Sequence, residues 1–517
     1  MAPSPSIVAD GNDLGVYNGT CLDECLDNYS NNNVSNNDKD LESIVDAVTV
    51  LLRGLGEDVE REGIKKTPLR VARAFLEGTK GYQQNIKNII GDALFPEAGI
   101  ENGAGCGGGS GGLVVVRNID LFSYCEACLL PFKARLHVAY ISSCQRVVGL
   151  SKFSRVAEAF AKRLQSPQRL ADDICKALSD NIKPLGVALI LECLHIQFPK
   201  VEDKADELKS SIEDMPHWMP SSFFAGSGLF ENESNNIWND FIELLQLGGI
   251  SVSRHITTSA SVSKGIWCPF PVTTDSDSSI LNGKASPQYE LNCNGSGPNC
   301  GWSKSSLAKL EANSSMITAV KSILSVIAGD SWKEKLCWTP IRYVWWLSNF
   351  HRIKPVIQFM HFQGNCAEAD GNGSSGKTDV RMAATEAKGK EILWEVRVPF
   401  CSQCEHHLLP FFGTAHIGYI SVKQQKQVIR PKICNIVEFF CHRLQVQERL
   451  TRQIAEAISS SCNVDSVIVV LEANHICMQS RGVEKIGSST ATVAVLGCFI
   501  TDSALKAAFF ERVSDRT

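Results

Sequence analysis

Apolar residues recur at helical spacing over Ile44–Gly56 (Ile44, Val48, Leu51, Leu52), which predicts an amphipathic helix. Thr67-Pro68 opens a second helical stretch that runs to Gly78, because the fixed φ of proline suits a first helical turn. Leu113–Val116 and Arg135–Ile141 are rich in β-branched residues and alternate in polarity, so both read as strands. Helical spacing returns over Arg155–Leu164 and Gln168–Asn181, and Gly186–Leu191 is a short apolar run that reads as a strand. Long helices packed on a small antiparallel sheet make an α+β fold.

The same pattern then comes round again. Leu41–Arg70 resembles Leu310–Arg342, and both end in Thr-Pro-x-Arg (Thr67–Arg70, Thr339–Arg342). Cys125-Glu126-Ala127-Cys128-Leu129-Leu130-Pro131-Phe132 aligns with Cys404-Glu405-His406-His407-Leu408-Leu409-Pro410-Phe411. Arg163-Leu164-Gln165 aligns with Arg443-Leu444-Gln445, and Leu191–Ile196 with Leu471–Ile476. The offset stays near 272–280 residues throughout, so the chain is an internal duplication with a period too long for a solenoid. The expected organisation is a disordered tail over 1–40, a first repeat over 41–247, a linker over 248–309 and a second repeat over 310–517. The tail is rich in Asn, Asp and Ser, and the linker in Ser, Asn, Gly and Pro. Glu101–Gly112 and Asp370–Thr378 read as flexible loops.

Composition narrows the function classes. At 517 residues, 44% hydrophobic and 21% charged, the chain is ordinary for a globular protein with a sizeable core. A net charge of -5 gives no global field for nucleic acid or an anionic membrane, so neither is expected as a partner, and a polyanionic substrate needs a local basic pocket. No apolar run reaches the ~18 residues of a membrane helix. Acidic residues precede the first basic one, Lys39, which fits neither a secretory leader nor a transit peptide, so the expected address is the cytoplasm. The 20 cysteines follow no disulfide framework; most are expected as small buried hydrophobes, with a few as metal ligands.

The chemistry concentrates in the second repeat. Cys404 and His407, three apart, can both reach one metal. Downstream, Ser466–Leu471 reads as a buried strand, and if its geometry continues, His475 and Cys477 share a face. Cys404, His407 and Cys477 are then three zinc ligands with one position open, the pattern of a catalytic zinc, with His406 and His475 beside it as proton carriers.

Cys404–His407, Gln445–Leu450 (Gln-Val-Gln-Glu-Arg-Leu), His475–Met478 and Arg481-Gly482, in this order and spacing, resemble GTP cyclohydrolase I, over nearly all of 310–515 and more weakly over 41–247. The two-repeat arrangement is similar to the plant form. The resemblance implies two tandem tunnelling-fold domains and a homo-oligomer with sites between neighbours. It also implies zinc held by Cys404, His407 and Cys477, with His406 and His475 as catalytic histidines. Glu448 matches the carboxylate that grips guanine, with Gln447 beside it, and Arg481 a triphosphate contact. A carboxylate suits the guanine edge, whose N1–H and amine are two donors. The implied reaction opens the imidazole ring of GTP, releases formate and gives 7,8-dihydroneopterin triphosphate, a folate precursor.

Each repeat departs from the family in a different place. The first has Ala127, Cys128 and Gln197 at metal-site positions and Pro167 and Gln168 at the guanine positions; Cys125 and Cys128 are left as two obvious ligands, and His195 as a histidine without its metal. It keeps Gly149-Leu150-Ser151-Lys152-Phe153-Ser154-Arg155 whole, the segment that in the family holds triphosphate, with Ser151 as a proton relay. The second has Ile429-Arg430-Pro431-Lys432-Ile433-Cys434-Asn435 there. A composite site is therefore expected: zinc, histidines and Glu448 from the second repeat, Ser151, Lys152 and Arg155 from the first, and one catalytic zinc per chain. Two competing readings are a non-catalytic pterin- or nucleotide-binding regulator and a structural zinc protein. The latter needs neither Glu448 nor a histidine pair.

Overall fold

The computed structural model describes residues 37–91, 94–96, 112–142, 146–197, 217–232, 236–252, 313–329, 332–350, 383–387, 391–422, 429–482 and 488–514. Nearly all of the expected tail and Glu101–Gly112 loop, residues 253–309 of the expected linker, and Asp370–Thr378 lie outside them.

The first half runs α1 (Asn37–Gly54), α2 (Glu62–Lys65), α3 (Thr67–Thr79), α4 (Ile86–Ile90), β1 (Leu94–Pro96), β2 (Leu113–Cys125), β3 (Pro131–Ile141), β4 (Arg146–Val148), α5 (Ser151–Ala161), β5 (Leu164–Gln165), α6 (Pro167–Ile182), β6 (Gly186–Gln197), β7 (His217–Gly228) and α7 (Asn236–Leu247). The second runs α8 (Ser314–Ala328), α9 (Trp332–Lys335), α10 (Thr339–Phe350), β8 (Ala383–Ala387), β9 (Glu391–Cys404), β10 (Pro410–Val422), α11 (Ile429–Cys441), β11 (Leu444–Gln445), α12 (Gln447–Cys462), β12 (Val467–His475), α13 (Ile476–Gln479), β13 (Thr490–Leu496) and α14 (Ser503–Ser514). The main sheets have equivalent orders, β5-β2-β3-β6-β7 and β11-β9-β10-β12-β13, with β8 added beside β9. Each is antiparallel except for a short parallel strand at one edge, β5 on β2 and β11 on β9. Two tandem tunnelling-fold domains, α+β, are thus present.

Alternation assigns the sheet faces. In β6, Leu189 and Leu191 join the main core while Ala188 and Ile190 pack under Trp238 and Phe241 of α7. In β12, Val467, Val469 and Leu471 face the main core, whereas Ile468 and Val470 meet Phe499 and Phe509. Helix α6 buries Leu170, Ala171, Ile174, Cys175 and Leu178, and α12 buries Leu450, Thr451, Ile454, Ala455 and Ile458, each a single stripe against its sheet.

Most buried apolar residues of both halves belong to one continuous core, apart from the clusters under α7 and around Phe499 and Phe509. Helix α1, with Ile44, Val48, Leu51 and Leu52 inward, packs against α8, whose Met316, Val320, Ile323 and Leu324 are inward, and Gly54 leaves space that Met316 occupies. Thr67 Oγ1 at the start of α3 donates to the Glu405 carbonyl at 2.7 Å, and Thr339 Oγ1 at the start of α10 donates to the Glu126 carbonyl at 2.6 Å. Each half therefore plants its Thr-Pro helix on the other half's Cys-Glu turn. Among the described residues no helix is long and apolar enough to cross a membrane.

Some boundaries differ from the sequence reading. Helix α1 starts at Asn37, inside the expected tail. Strand β2 does not stop at Val116; an irregularity between Val116 and Ile119, with Asn118 at φ 57, lets it run on to Cys125. Helix α5 starts at Ser151 and ends at Ala161, because Leu164-Gln165 pairs with β2. The strand through His475 does not continue: Cys477 lies in the one-turn helix α13, so strand alternation is not what brings it to the site.

Candidate metal centre

Cys404 is the last residue of β9 and begins a tight turn to β10. Leu408 closes the turn at φ 55, a left-handed conformation that costs a non-glycine residue roughly 1–2 kcal/mol. Three hydrogen bonds hold it there: Leu408 N–H to the Cys404 carbonyl, Cys404 N–H to the Leu409 carbonyl and the Gln403 amide to the Leu408 carbonyl, each 2.9 Å. The turn sends the Cys404 thiol and the His407 ring to one side, Sγ to Nδ1 at 3.9 Å. Strand β12 pairs with β10 in a register that sets His475 opposite Phe411 and delivers Cys477 just beyond. The ligand atoms of Cys404, His407 and Cys477 all lie within 4.8 Å of one another.

This donor set suits zinc. Two ligands about 2.0–2.3 Å from a tetrahedral ion stand about 3.6 Å apart, close to the spacing seen here. The Cys477 thiol donates to Cys404 and holds it well below the usual thiol range against the effect of burial, while the same bond pushes Cys477 up. Burial pushes the His407 imidazole down, which favours the neutral form that offers a lone pair.

The histidines differ in support. His475 stacks on Phe411 with ring centroids 4.7 Å apart, and its Nε2 donates to Gln447 Oε1 at 2.7 Å. Gln447 is itself fixed, since its amide nitrogen donates to the Leu471 and Thr490 carbonyls at 2.9 and 2.8 Å. His406 is half-exposed, with its ring edge-on to His407 and Nε2 4.0 Å from Glu405. Glu448 is exposed in the first turn of α12 and opens on a groove of about 430 Å³ between α12 and β13, lined by Arg452, Thr492 and Ala494 among others. Arg481 donates to the Cys477 carbonyl at 2.8 Å, and its charge reaches Tyr124 of the first half, whose phenol is pushed up by burial.

Cys404, His407, Cys477, His475, Gln447 and Arg481 are thus brought together. Ser151, Lys152 and Arg155 sit on α5, which packs on α4, α6 and β2 of the first half, and Lys152 Nζ donates to the Ile89 carbonyl at 2.7 Å. Sequence reasoning missed Glu405. Its carboxylate, 3% exposed, is clamped by Arg449 at 2.6 Å and by Arg61 of the first half at 3.0 Å. The signal was present, because Cys-Glu occurs in both repeats and Arg169 and Arg449 match as well; Glu126 pairs with Arg169.

Sequence reasoning also missed a candidate ligand in the first half. The turn there has the same shape, with Leu129 at φ 58 and Leu129 N–H donating to the Cys125 carbonyl at 2.8 Å. His195, read as a histidine without its metal, stands with Cys125 and Cys128, all three ligand atoms within 4.8 Å of one another.

The comparisons agree with this geometry. The family model described as GTP cyclohydrolase I matches residues 44–207 and 316–514, one segment in each half. The chain is 46% identical over 473 residues to "GTP cyclohydrolase 1" of Solanum lycopersicum, covering 91% of this chain and 92% of the relative. With the Arabidopsis thaliana protein of the same name it shares 43% over 503 residues, 97% of this chain and 94% of that one. The Dictyostelium discoideum protein of that name matches at 44% over only 156 residues, 30% of this chain and 62% of the relative.

Proposed function

Because the chain belongs to the GTP cyclohydrolase I family, we propose that it is a zinc-dependent hydrolase that opens the guanine imidazole ring of GTP. Formate leaves, and the product is 7,8-dihydroneopterin triphosphate, the first pterin of tetrahydrofolate synthesis. The observation that carries this reading is the convergence of Cys404, His407 and Cys477 beside a histidine, His475, that Gln447 locks in place.

Cys404, His407 and Cys477 would hold the zinc, which when bound supplies Lewis-acid activation of water. Glu448 accepts N1–H and the exocyclic amine of guanine and so selects that base. His475 donates a proton to the ring nitrogen as C8 is attacked, and Gln447 behind it fixes the ring and tautomer for that transfer. His406, more exposed, carries protons to and from solvent, and Ser151 serves as a relay. Arg481, Lys152 and Arg155 neutralise the triphosphate, which a chain of net charge -5 must do locally. In a homo-oligomer, the first half of one chain and the second half of its neighbour would complete the composite site. The outer edge strand β13, with Val493 52% exposed, suits such an assembly.

Incubation of the purified chain with GTP tests the reading. Formate release with new pterin fluorescence, abolished by a zinc chelator and restored by zinc, is expected; tight GTP binding without turnover would replace the enzyme by a regulator.

A further inference from the structure

The two Cys-Glu turns have one backbone, yet the histidine that follows each behaves differently. In the second half, Gln447 Oε1 accepts from His475 Nε2. In the first half the position of Gln447 is Pro167, which has no amide to offer. There His195 Nδ1 bonds the Ile196 carbonyl at 2.7 Å, and Nε2 lies 3.4 Å from Cys128 Sγ. A carbonyl only accepts, so Nδ1 carries the hydrogen and the unprotonated Nε2 accepts from the Cys128 thiol. A histidine whose outer nitrogen donates to a carbonyl while its inner nitrogen faces thiols has the usual orientation of a metal ligand.

We propose that the first half binds its own zinc ion through Cys125, Cys128 and His195, with the fourth position left to water, in a buried site that is structural because no substrate reaches it. The donors are two thiols and an imidazole, the set zinc prefers. The 3.4 Å between Cys128 Sγ and His195 Nε2 is near the ~3.6 Å separation of two ligands on a tetrahedral ion, so little rearrangement is needed. Cys125, Cys128 and His195 are 0%, 0% and 1% exposed, which leaves no path for a substrate the size of a nucleotide. Phe132 stacks on the His195 ring and holds it in this plane. Binding releases the two thiol protons to solvent and ties the Cys125–Leu129 turn to β6. That turn carries the Glu126 carbonyl on which Thr339 of the other half rests. Nothing in this site depends on the GTP chemistry of the second half.

Metal analysis of the purified full chain, after exhaustive dialysis against metal-free buffer, is the first test. Two zinc ions per chain are expected, and a single one overturns the proposal. The second test locates them. A Cys404→Ser, Cys477→Ala double variant should keep one zinc, and adding Cys128→Ser should remove it. Cobalt exchanged into the double variant should give thiolate-to-metal charge-transfer absorption that His195→Ala weakens or shifts. A folded double variant without metal means that His195 is only a hydrogen-bond partner of a buried thiol, and the site falls. If the variants do not fold, the count on the unaltered chain decides alone.

Discussion

Two turns in this molecule share a backbone and divide the work. Cys125–Leu129 and Cys404–Leu408 both end on a left-handed leucine, both carry a glutamate (half-buried Glu126, buried Glu405) paired with an arginine of α6 or α12, and both receive a threonine from the opposite half. Around the second turn stand Cys477, His475, Gln447 and Glu448, the residues proposed to act on guanine. Around the first, His195 and Pro167 are buried, and Gln168, at the position of Glu448, donates to Asp172 at 2.9 Å and to the Phe224 carbonyl at 3.1 Å. The difference teaches that the scaffold of a metal turn and the reactivity of the metal are set by separate residues. The turn is fixed by strand pairing and the cross-half threonine, and the reactivity by which side chains reach the cluster from β6 or β12 and from the start of α6 or α12.

The sharpest way to break this contrast is to remove one ligand from each side. Cys477→Ala should lose the second-half metal and all measurable turnover, whereas Cys128→Ser should keep turnover in whatever fraction of the chain folds. Zinc content and formate release measured together check this; activity surviving in Cys477→Ala would end the assignment.

A smaller effect separates the two helix starts. Glu448→Ala removes two charge-assisted hydrogen bonds of roughly 1.5–3 kcal/mol each, so GTP affinity should fall by about two to four orders of magnitude with zinc retained. Gln168→Ala should leave GTP affinity alone. Equilibrium binding of GTP to both variants gives the answer, and parent-like affinity in Glu448→Ala would refute the guanine contact.

The proposed triphosphate contacts come mainly from the other half. Lys152→Ala or Arg155→Ala should each reduce turnover roughly 10- to 100-fold, the worth of one charged hydrogen bond, with zinc content and folding unchanged. Correspondingly, residues 304–517 alone should not turn over GTP; if they match the whole chain, the composite site is wrong.

Smallest of all, Thr67→Ala and Thr339→Ala should each lower stability by about 1–3 kcal/mol, because each removes the donor to a carbonyl that is buried at Glu405 and part-buried at Glu126. Thr67→Ser and Thr339→Ser should restore most of it. Unfolding in denaturant tests the symmetry, and a neutral result at either position would show that the two dockings are not equivalent.

The sequence made some of this legible and hid the rest for physical reasons. The duplication could be read because motifs recur in order at a steady offset, the α+β class from the periodicity of the elements, and the Cys404, His407, Cys477 cluster from the close spacing of its ligands on either side of a buried strand. His195 as a ligand could not, because its ring orientation follows from the residue at position 167, on a different element. The clamp on Glu405 was hidden because Arg61 lies far away in sequence and in the other half. The approach of Cys477 was foreseen for the wrong reason: a strand was expected to carry it, and a one-turn helix does.

The bond from Thr67 to the Glu405 carbonyl spans 338 residues. At synthesis rates of roughly 5–20 residues per second, Thr67 leaves the ribosome about 20–70 s before its acceptor exists. For that interval the face of α1 that α8 covers in the finished fold has no second half to cover it. A nascent chain of this kind spends a long, fixed time in a sticky state. Its yield in a cell is therefore set by what shields the α1 surface during translation as much as by the stability of the finished fold.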